Sequence, residues 1–389
     1  MMTARLGLPA RILLRGGAGL IASLVLLASM AGCSLWGAAP PKPVPADLGP
    51  NFAVLGVRQV WGTRIGKVGI PLDVHVNGSA VTLASSDGSV VSVDAGTGVE
   101  LWRASIGEPL SAGVGSDGRF AAVVTRANLL TVIEGGREKW RQPLPAQAFT
   151  SPLVAGGRVF VLSSDRSVSA YDASSGRRLW IQQRPGEPLV LRQAGVLFAV
   201  GDTLVVGLSG RLVGMNPNGG SVLWELPLAS ARGTNDVERL VELVGRTSRV
   251  GDSVCARAFQ ATVGCVNISL RSVVWTQPAS GFEGVHGDDL ALFGTESNGV
   301  LNAWSRSSGS RMWTVDRFKH RKLTAPLLLG RSVVFGDDAG LVHLVSRDDG
   351  APLNRLSTDG SGIAAAPVVA ADTLVVVTHN GSVFGFRPE

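Results

Sequence analysis

Tryptophan recurs along this chain with the regularity of a structural repeat. Trp102, Trp140, Trp180, Trp224, Trp275 and Trp313 are spaced at roughly 40 to 50 residues, the length of a four-stranded propeller blade. The text around them repeats as well. DGSVVSVDAGTGVELW (87–102) parallels DRSVSAYDASSGRRLW (165–180), SGRLVGMNPNGGSVLW (209–224) and SNGVLNAWSRSSGSRMW (297–313). DAGLVHLVSRDDGAPLN (338–354) is the same unit with Asn354 in the tryptophan place. Each unit opens on a small polar turn such as Ser86-Asp87-Gly88, where glycine supplies a positive φ without steric cost. A short β-branched strand alternates in and out (Val91, Val93), a second turn follows near Gly98 or Gly176, and another strand ends on tryptophan. Paired strands of the pattern P-L-V-x-G-G-R-V-F-V (152–161) stand upstream and are echoed at 326–335 and 367–377. Four strands per unit joined by tight turns predict an all-β, β-propeller fold with antiparallel blades. A β-sandwich has no reason to return one tryptophan per four strands.

Counting sets the blade number. Six tryptophan-ended units and the Asn354 unit make seven, and the last stretch, 363–389, holds only three strands. The missing outer strand is available in Val57-Arg58-Gln59-Val60-Trp61-Gly62-Thr63. A ring closed by strands from both termini removes an exposed sheet edge. Eight blades over 57–389 are therefore expected, with seven as the alternative. The repeat tryptophans are read as wedge fillers between blades, each needing one partner for its indole N–H. Trp304 falls outside the register.

The first 32 residues read as an address. Arg5, Arg11 and Arg15 form a basic start, and the apolar run 18–28 is shorter than the ~20 residues of a spanning helix. It ends in Met30-Ala31-Gly32-Cys33, which resembles the bacterial lipobox. That resemblance implies cleavage before Cys33, diacylation (palmitate-type chains) on its sulfur and N-acylation, an anchor well beyond the marginal single-chain regime. Ser34, where enterobacterial lipoproteins retained at the inner membrane have Asp, points to the outer membrane. Residues 33–56, with the Pro-rich 35–50 lacking any apolar period, are expected to form an extended tether between lipid and propeller.

Catalytic and nucleic-acid signatures are missing. The formal charge of +6 falls to +3 once the three signal arginines are removed, and no basic cluster interleaved with aromatics argues for nucleic acid. His75, His286, His320, His343 and His379 are scattered without zinc spacing. Acidic residues concentrate in turns, at Asp94, Asp172, Asp288-Asp289, Asp337-Asp338 and Asp348-Asp349, where Asp bonds its own backbone. The D-x-x-x-G-x-x-x-W repeat resembles that of quinoprotein dehydrogenases, whose eight-bladed propellers bind pyrroloquinoline quinone and Ca²⁺. This makes a quinone- and Ca²⁺-dependent dehydrogenase the rival reading. The vicinal cysteine pair of that family is absent here, and the chain is short for it. Cys255 and Cys265 would face each other if their hairpin turns near Gln260, which leaves a cross-strand disulfide and buried free thiols both open. No cofactor and no metal are expected.

Lipobox, Pro-rich tether and a quinoprotein-like ring without quinone residues together resemble BamB, the lipoprotein family of the outer-membrane β-barrel assembly machinery. The text Arg321-Lys322-Leu323-Thr324-Ala325-Pro326 before blade 7 adds to the resemblance. It implies a non-enzymatic scaffold on the periplasmic face of the outer membrane. Such a scaffold docks on the periplasmic domains of the barrel-forming subunit and helps present unfolded outer-membrane proteins to it. A lipid-anchored propeller with another envelope ligand is the intermediate alternative. The family's docking surface includes an L-x-L-R stretch on the loop and strand after the third tryptophan, matched here by Leu189-Val190-Leu191-Arg192. A second docking patch falls on the segment 231–249, where Glu238, Arg239 and Glu242 match the family's acidic stretch. Glu242 stands in place of Asp, and Val244 replaces a second acid.

Overall fold

Eight four-stranded antiparallel sheets succeed one another along the chain. The computed structural model describes residues 43–389 apart from 187, 188, 232 and 237, so the expected signal peptide and Cys33 lie outside the described residues. Residues 45–389 form one compact unit, an eight-bladed β-propeller. Blades 1 to 7 each use four consecutive strands, within 75–105, 115–143, 153–183, 197–227, 243–278, 285–315 and 327–357. Blade 8 takes Val368–Ala370, Thr373–Val377 and Ser382–Pro388 from the C-terminus and Val57–Arg64 from the other end as its outer strand. The closure expected from Trp61 is the closure observed.

The repeat motif works as a blade-to-blade fastener. In each outer strand the residue before the tryptophan position is an extra one: Ser92 pairs Trp102 and Val93 pairs Glu100, so Leu101 is bulged out. Blade 3 repeats this, with Ala170 opposite Trp180 and Tyr171 opposite Arg178. Such a bulge re-aims the next side chain, here the indole. Five of these indoles donate to a backbone carbonyl in the following blade's turn. Trp61 reaches Ala95 at 2.8 Å, Trp140 reaches Ala173 at 2.8 Å, Trp180 reaches Pro217 at 2.9 Å, Trp275 reaches Arg306 at 2.7 Å and Trp313 reaches Arg347 at 2.9 Å. The glycine of the accepting turn lies flat on the same ring. A Cβ on Gly98 would sit 2.6 Å from Trp61, and one on Gly176 would sit 2.7 Å from Trp140. Both glycines have φ of +73°, so neither space nor backbone admits another residue there. The motif aspartate shapes that turn: Asp94 Oδ1 accepts from the Thr97 N–H at 2.9 Å, and Asp172 Oδ1 from the Ser175 N–H at 2.8 Å. Asp, Gly and Trp of one motif thus serve two successive interfaces.

Blade 7, with Asn354 in place of tryptophan, is completed differently. Residues 46–56 run along its outer edge. Asn354 Nδ2 donates to Leu55 O, Asn51 Nδ2 donates to Arg355 O at 2.9 Å, and Arg355 Nη2 donates to Gly49 O at 2.9 Å. Arg317 and Arg321 donate to the carbonyls of Leu48 and Ala46, each at 3.1 Å. The expected tether (33–56) is therefore corrected at its C-terminal end. From Ala46 onward it is a strap on the propeller, because Asn354 in the tryptophan place and its neighbour Arg355 offer hydrogen-bonding groups that this segment meets.

Candidate functional site

The hairpins joining the second and third strands of each blade share one face of the ring with the connections between blades. Both stretches singled out by the sequence lie on that face. Leu189–Arg192 lies wholly in the connection between blades 3 and 4, with no strand residue among the four, which corrects the expected loop-and-strand placement. Leu189 is 40 % exposed and Arg192 is exposed, while Val190 and Leu191 are half-buried. The loop is held from below. Gly195 N–H donates to Thr150 Oγ1 at 2.9 Å, Gly245 N–H donates to Ala194 O at 2.9 Å, and Gln193 Nε2 donates to Phe282 O. The Arg192 guanidinium stands 5.5 Å from the centre of the Phe149 ring.

The second stretch divides. Glu238 and Arg239 are exposed on a turn in which the Thr234 N–H donates to Glu238 Oε2 at 2.8 Å, and Glu238 N–H donates to Asn235 Oδ1 at 2.9 Å. That backbone donor from Thr234 holds the Glu238 carboxyl below its usual range. From Leu243 the chain enters the innermost strand of blade 5, Leu243–Val250, where Val244 is buried opposite Arg257. The expected segment 231–249 is thus half loop and half inner strand. Glu242, expected among the docking residues, points inward: Arg166 Nη1 donates to its Oε1 at 2.7 Å. Burial is the main influence on this carboxyl and raises its pKa against the opposing pull of Arg166.

Arg166 is the residue that sequence reasoning missed. It sits in the Ser163-Ser164-Asp165-Arg166-Ser167 turn, the counterpart of Ser85-Ser86-Asp87-Gly88-Ser89 in blade 1. Matching turns place Asn128, Gly299, Gly340 and Gly381 at this position, all with positive φ. Arg166 adopts φ of +64°, a conformation costing an ordinary L-residue roughly 1–2 kcal/mol. The signal was therefore visible as an arginine where the repeat asks for glycine. Its guanidinium also donates to Ser209 Oγ at 3.0 Å and to Leu189 O at 3.1 Å, so it joins the two stretches.

Ionisable groups are also buried on the innermost strand of blade 5 and before blade 6. Arg246, on the innermost strand of blade 5, reaches the Pro367 carbonyl beside blade 8 at 2.8 Å. Burial lowers its pKa to about 10, with Asp73 opposing. Glu283 lies close by, and burial raises its carboxyl to about 7, against Arg257 and the backbone of Ala325. A carboxyl that ionises near 4.5 when unfolded and near 7 when folded contributes stability that is complete below 4.5 and lost as pH rises through 7. Glu283→Gln should therefore gain on the parent by up to about 3 kcal/mol between pH 5 and pH 8.5 in denaturant unfolding. A difference that stays constant with pH would contradict the shift.

Among the described residues, no group of three or more His, Cys, Asp or Glu side chains is placed to hold a metal. The acidic pairs are engaged in turns and ion pairs. Asp288 accepts the Leu290 and Ala291 N–H groups and pairs with Arg347 at 2.6 Å, while Asp337 accepts from Ala339, Leu341, Arg321 and His343. Cys255 and Cys265 pair directly across the hairpin of blade 5 and are joined as a disulfide, fully buried beneath Trp275. Trp304, outside the repeat register, is buried between Arg257 and Arg311.

Comparison with known proteins points one way. A family model described as outer membrane protein assembly factor BamB matches residues 86–315. The outer membrane protein assembly factor BamB of Burkholderia pseudomallei is 40 % identical over 352 residues, covering 89 % of this chain and 92 % of that protein. The crystal structure of BamB from Moraxella catarrhalis superposes with a TM-score of 0.78 at 20 % identity, covering 85 % of this chain and 99 % of that one. The quinohemoprotein alcohol dehydrogenase of Comamonas testosteroni matches at TM-score 0.68 and 13 % identity, over 87 % of this chain and 78 % of its own, and shares the fold alone.

Proposed function

The chain belongs to the BamB family of outer-membrane protein assembly factors, and from that premise we propose that it is a non-enzymatic scaffold of the β-barrel assembly machinery. In this reading residues 1–32 direct export, Cys33 carries the lipid, and residues 34–45 link it to the strap on blade 7. The propeller then works at the periplasmic face of the outer membrane, docked on the periplasmic domains of the barrel-forming subunit. Identity to a BamB protein across nearly the whole chain carries the assignment. The docking surface is the connection 189–192 together with the exposed Glu238–Arg239 turn. Its chemistry suits a protein partner: a solvent-exposed Leu189 on the same connection as the exposed Arg192 combines apolar burial with directional donors, the composition of an interface hot spot. Glu242 belongs to the support of that surface rather than to its contact face.

Leu191→Ala combined with Arg192→Ala tests the surface. Both side chains lie on a loop outside the strand ladders, so the melting temperature should stay within a few degrees of the parent. Recovery of the barrel-forming subunit from detergent-solubilised outer membrane should fall at least tenfold, as expected when hot-spot residues worth about 2 kcal/mol are truncated. Undiminished co-purification would remove Leu191 and Arg192 from the contact surface.

A further inference from the structure

We propose that Arg166 is a positioning residue that latches the two connections flanking blade 4 into a single partner-binding surface, an inference that rests on the docking role given above. Three observations converge on it. Its fork reaches both connections at once, with Nη1 on Glu242 at 2.7 Å and Nη2 on the Leu189 carbonyl at 3.1 Å. These two atoms lie 53 positions apart in sequence and on opposite sides of blade 4. The Arg166 side chain is only 7 % exposed, and Gly186 passes so close over it that a Cβ there would lie 2.2 Å from Arg166 Nε. Finally, the arginine occupies a left-handed turn position that blades 1, 6, 7 and 8 give to glycine. A residue held in such a backbone conformation is retained for what its side chain does, since the turn itself forms better without it.

The physical consequence is preorganisation. Connections between blades lie outside the strand ladders, and a partner that must order them loses affinity to the entropy of ordering. A planar guanidinium can hold a carboxylate with one nitrogen and a carbonyl with the other, so both connections are fixed before the partner arrives. Lysine presents its donors from one nitrogen and lacks the preset fork that places two nitrogens on two acceptors. The latch therefore supports Leu189, Leu191 and Arg192 on one side and the Glu238–Arg239 turn on the other, without Arg166 itself touching the partner.

Arg166→Gly is the decisive variant, because glycine is the residue the equivalent turns already use and the fold accepts it. Adding Glu242→Gln in the same background removes the carboxylate left without its arginine. Hydrogen exchange on the mature protein, followed by mass spectrometry, should show 189–195 and 238–243 losing protection together in both variants. The strands of blade 3 should keep theirs. The Kd for the isolated periplasmic domains of the barrel-forming subunit should rise at least tenfold, with the melting temperature within a few degrees of the parent. Arg166→Lys should restore protection at one connection only and give an intermediate Kd. Unchanged protection of either connection in Arg166→Gly would overturn the latch, as would joint loosening that leaves the Kd unaltered. Failure of the parent protein to bind those domains would instead overturn the docking role, while the exchange data would still decide whether Arg166 joins the loops.

Discussion

Trp61→Ala should lower the unfolding free energy by about 3–5 kcal/mol, the range for truncating a large buried aromatic, and should weaken the ring at its closure. Trp61 is buried between blade 8 and blade 1, its ring lying on Gly98 of one and Gly385 of the other, and its indole donates to Ala95 O at 2.8 Å. Truncation removes this packing and leaves the carbonyl without its donor. Trp140 and Trp275 make the same indole contact between blades that follow one another in the chain. Trp61 differs in standing on a strand that reaches its blade from the opposite terminus, so no adjoining turn holds it there. The Trp61→Ala variant should therefore show faster hydrogen exchange in 57–64 and 382–388 than Trp140→Ala shows in its own outer strand, at similar global cost. Denaturant unfolding with exchange on both variants checks this. A loss under about 1 kcal/mol would mean that backbone pairing of Val57–Arg64 with Ser382–Pro388 closes the ring without the indole.

Arg257→Leu is expected to cost a similar 3–5 kcal/mol, for an electrostatic reason. The Arg257 side chain is fully buried between blades 5 and 6, with Nη1 and Nη2 each 3.3 Å from Glu296 Oε1. Space for the guanidinium comes from glycine: a Cβ on Gly281 or Gly294 would come within 2.2 Å or 2.5 Å of it. Removing one partner of a buried pair leaves the other charge without compensation, which is where the penalty arises. Glu296 would retain only its neutral donors, the Ser280 N–H, Ser280 Oγ and Asn302 Nδ2. Adding Glu296→Gln to Arg257→Leu should recover at least half of the loss, since it removes the stranded charge and keeps an acceptor for those donors. A double variant no more stable than the single one would place the cost in the cavity beside Gly281 and Gly294 instead. Chemical denaturation of the single and double variants separates the two.

The repeat made most of the architecture legible. Each blade is specified by residues a few positions apart, and Asp94, Gly98 and Trp102 lie within one stretch of text because turn, spacing and strand are local matters. Even ring closure could be read, since a strand-like stretch carrying Trp61 stood upstream of the first repeat and the last unit lacked a strand. The strap was not legible. Residues 46–56 carry no period, and their place on blade 7 depends on Asn354, some 300 positions away, leaving backbone groups open to them. The candidate site was half legible. Leu189, Leu191, Arg192, Glu238 and Arg239 were found as text and lie on connections at one face, but the inward turn of Glu242 was not foreseen.

The sequence by itself determined the blade and its repetition, because these follow from hydrogen bonding and packing between near neighbours in the chain, and it showed the closure because the last unit lacks a strand that the other end of the chain supplies. Only the tertiary structure decided which side chains meet across blades: Arg166 with Glu242 and the Leu189 carbonyl, Arg257 with Glu296, Arg246 with Pro367. A ring brings together connections whose sequence separation varies from blade to blade, and no local pattern encodes that encounter. An arginine standing where the repeat expects glycine marks the position, and the fold supplies its partners.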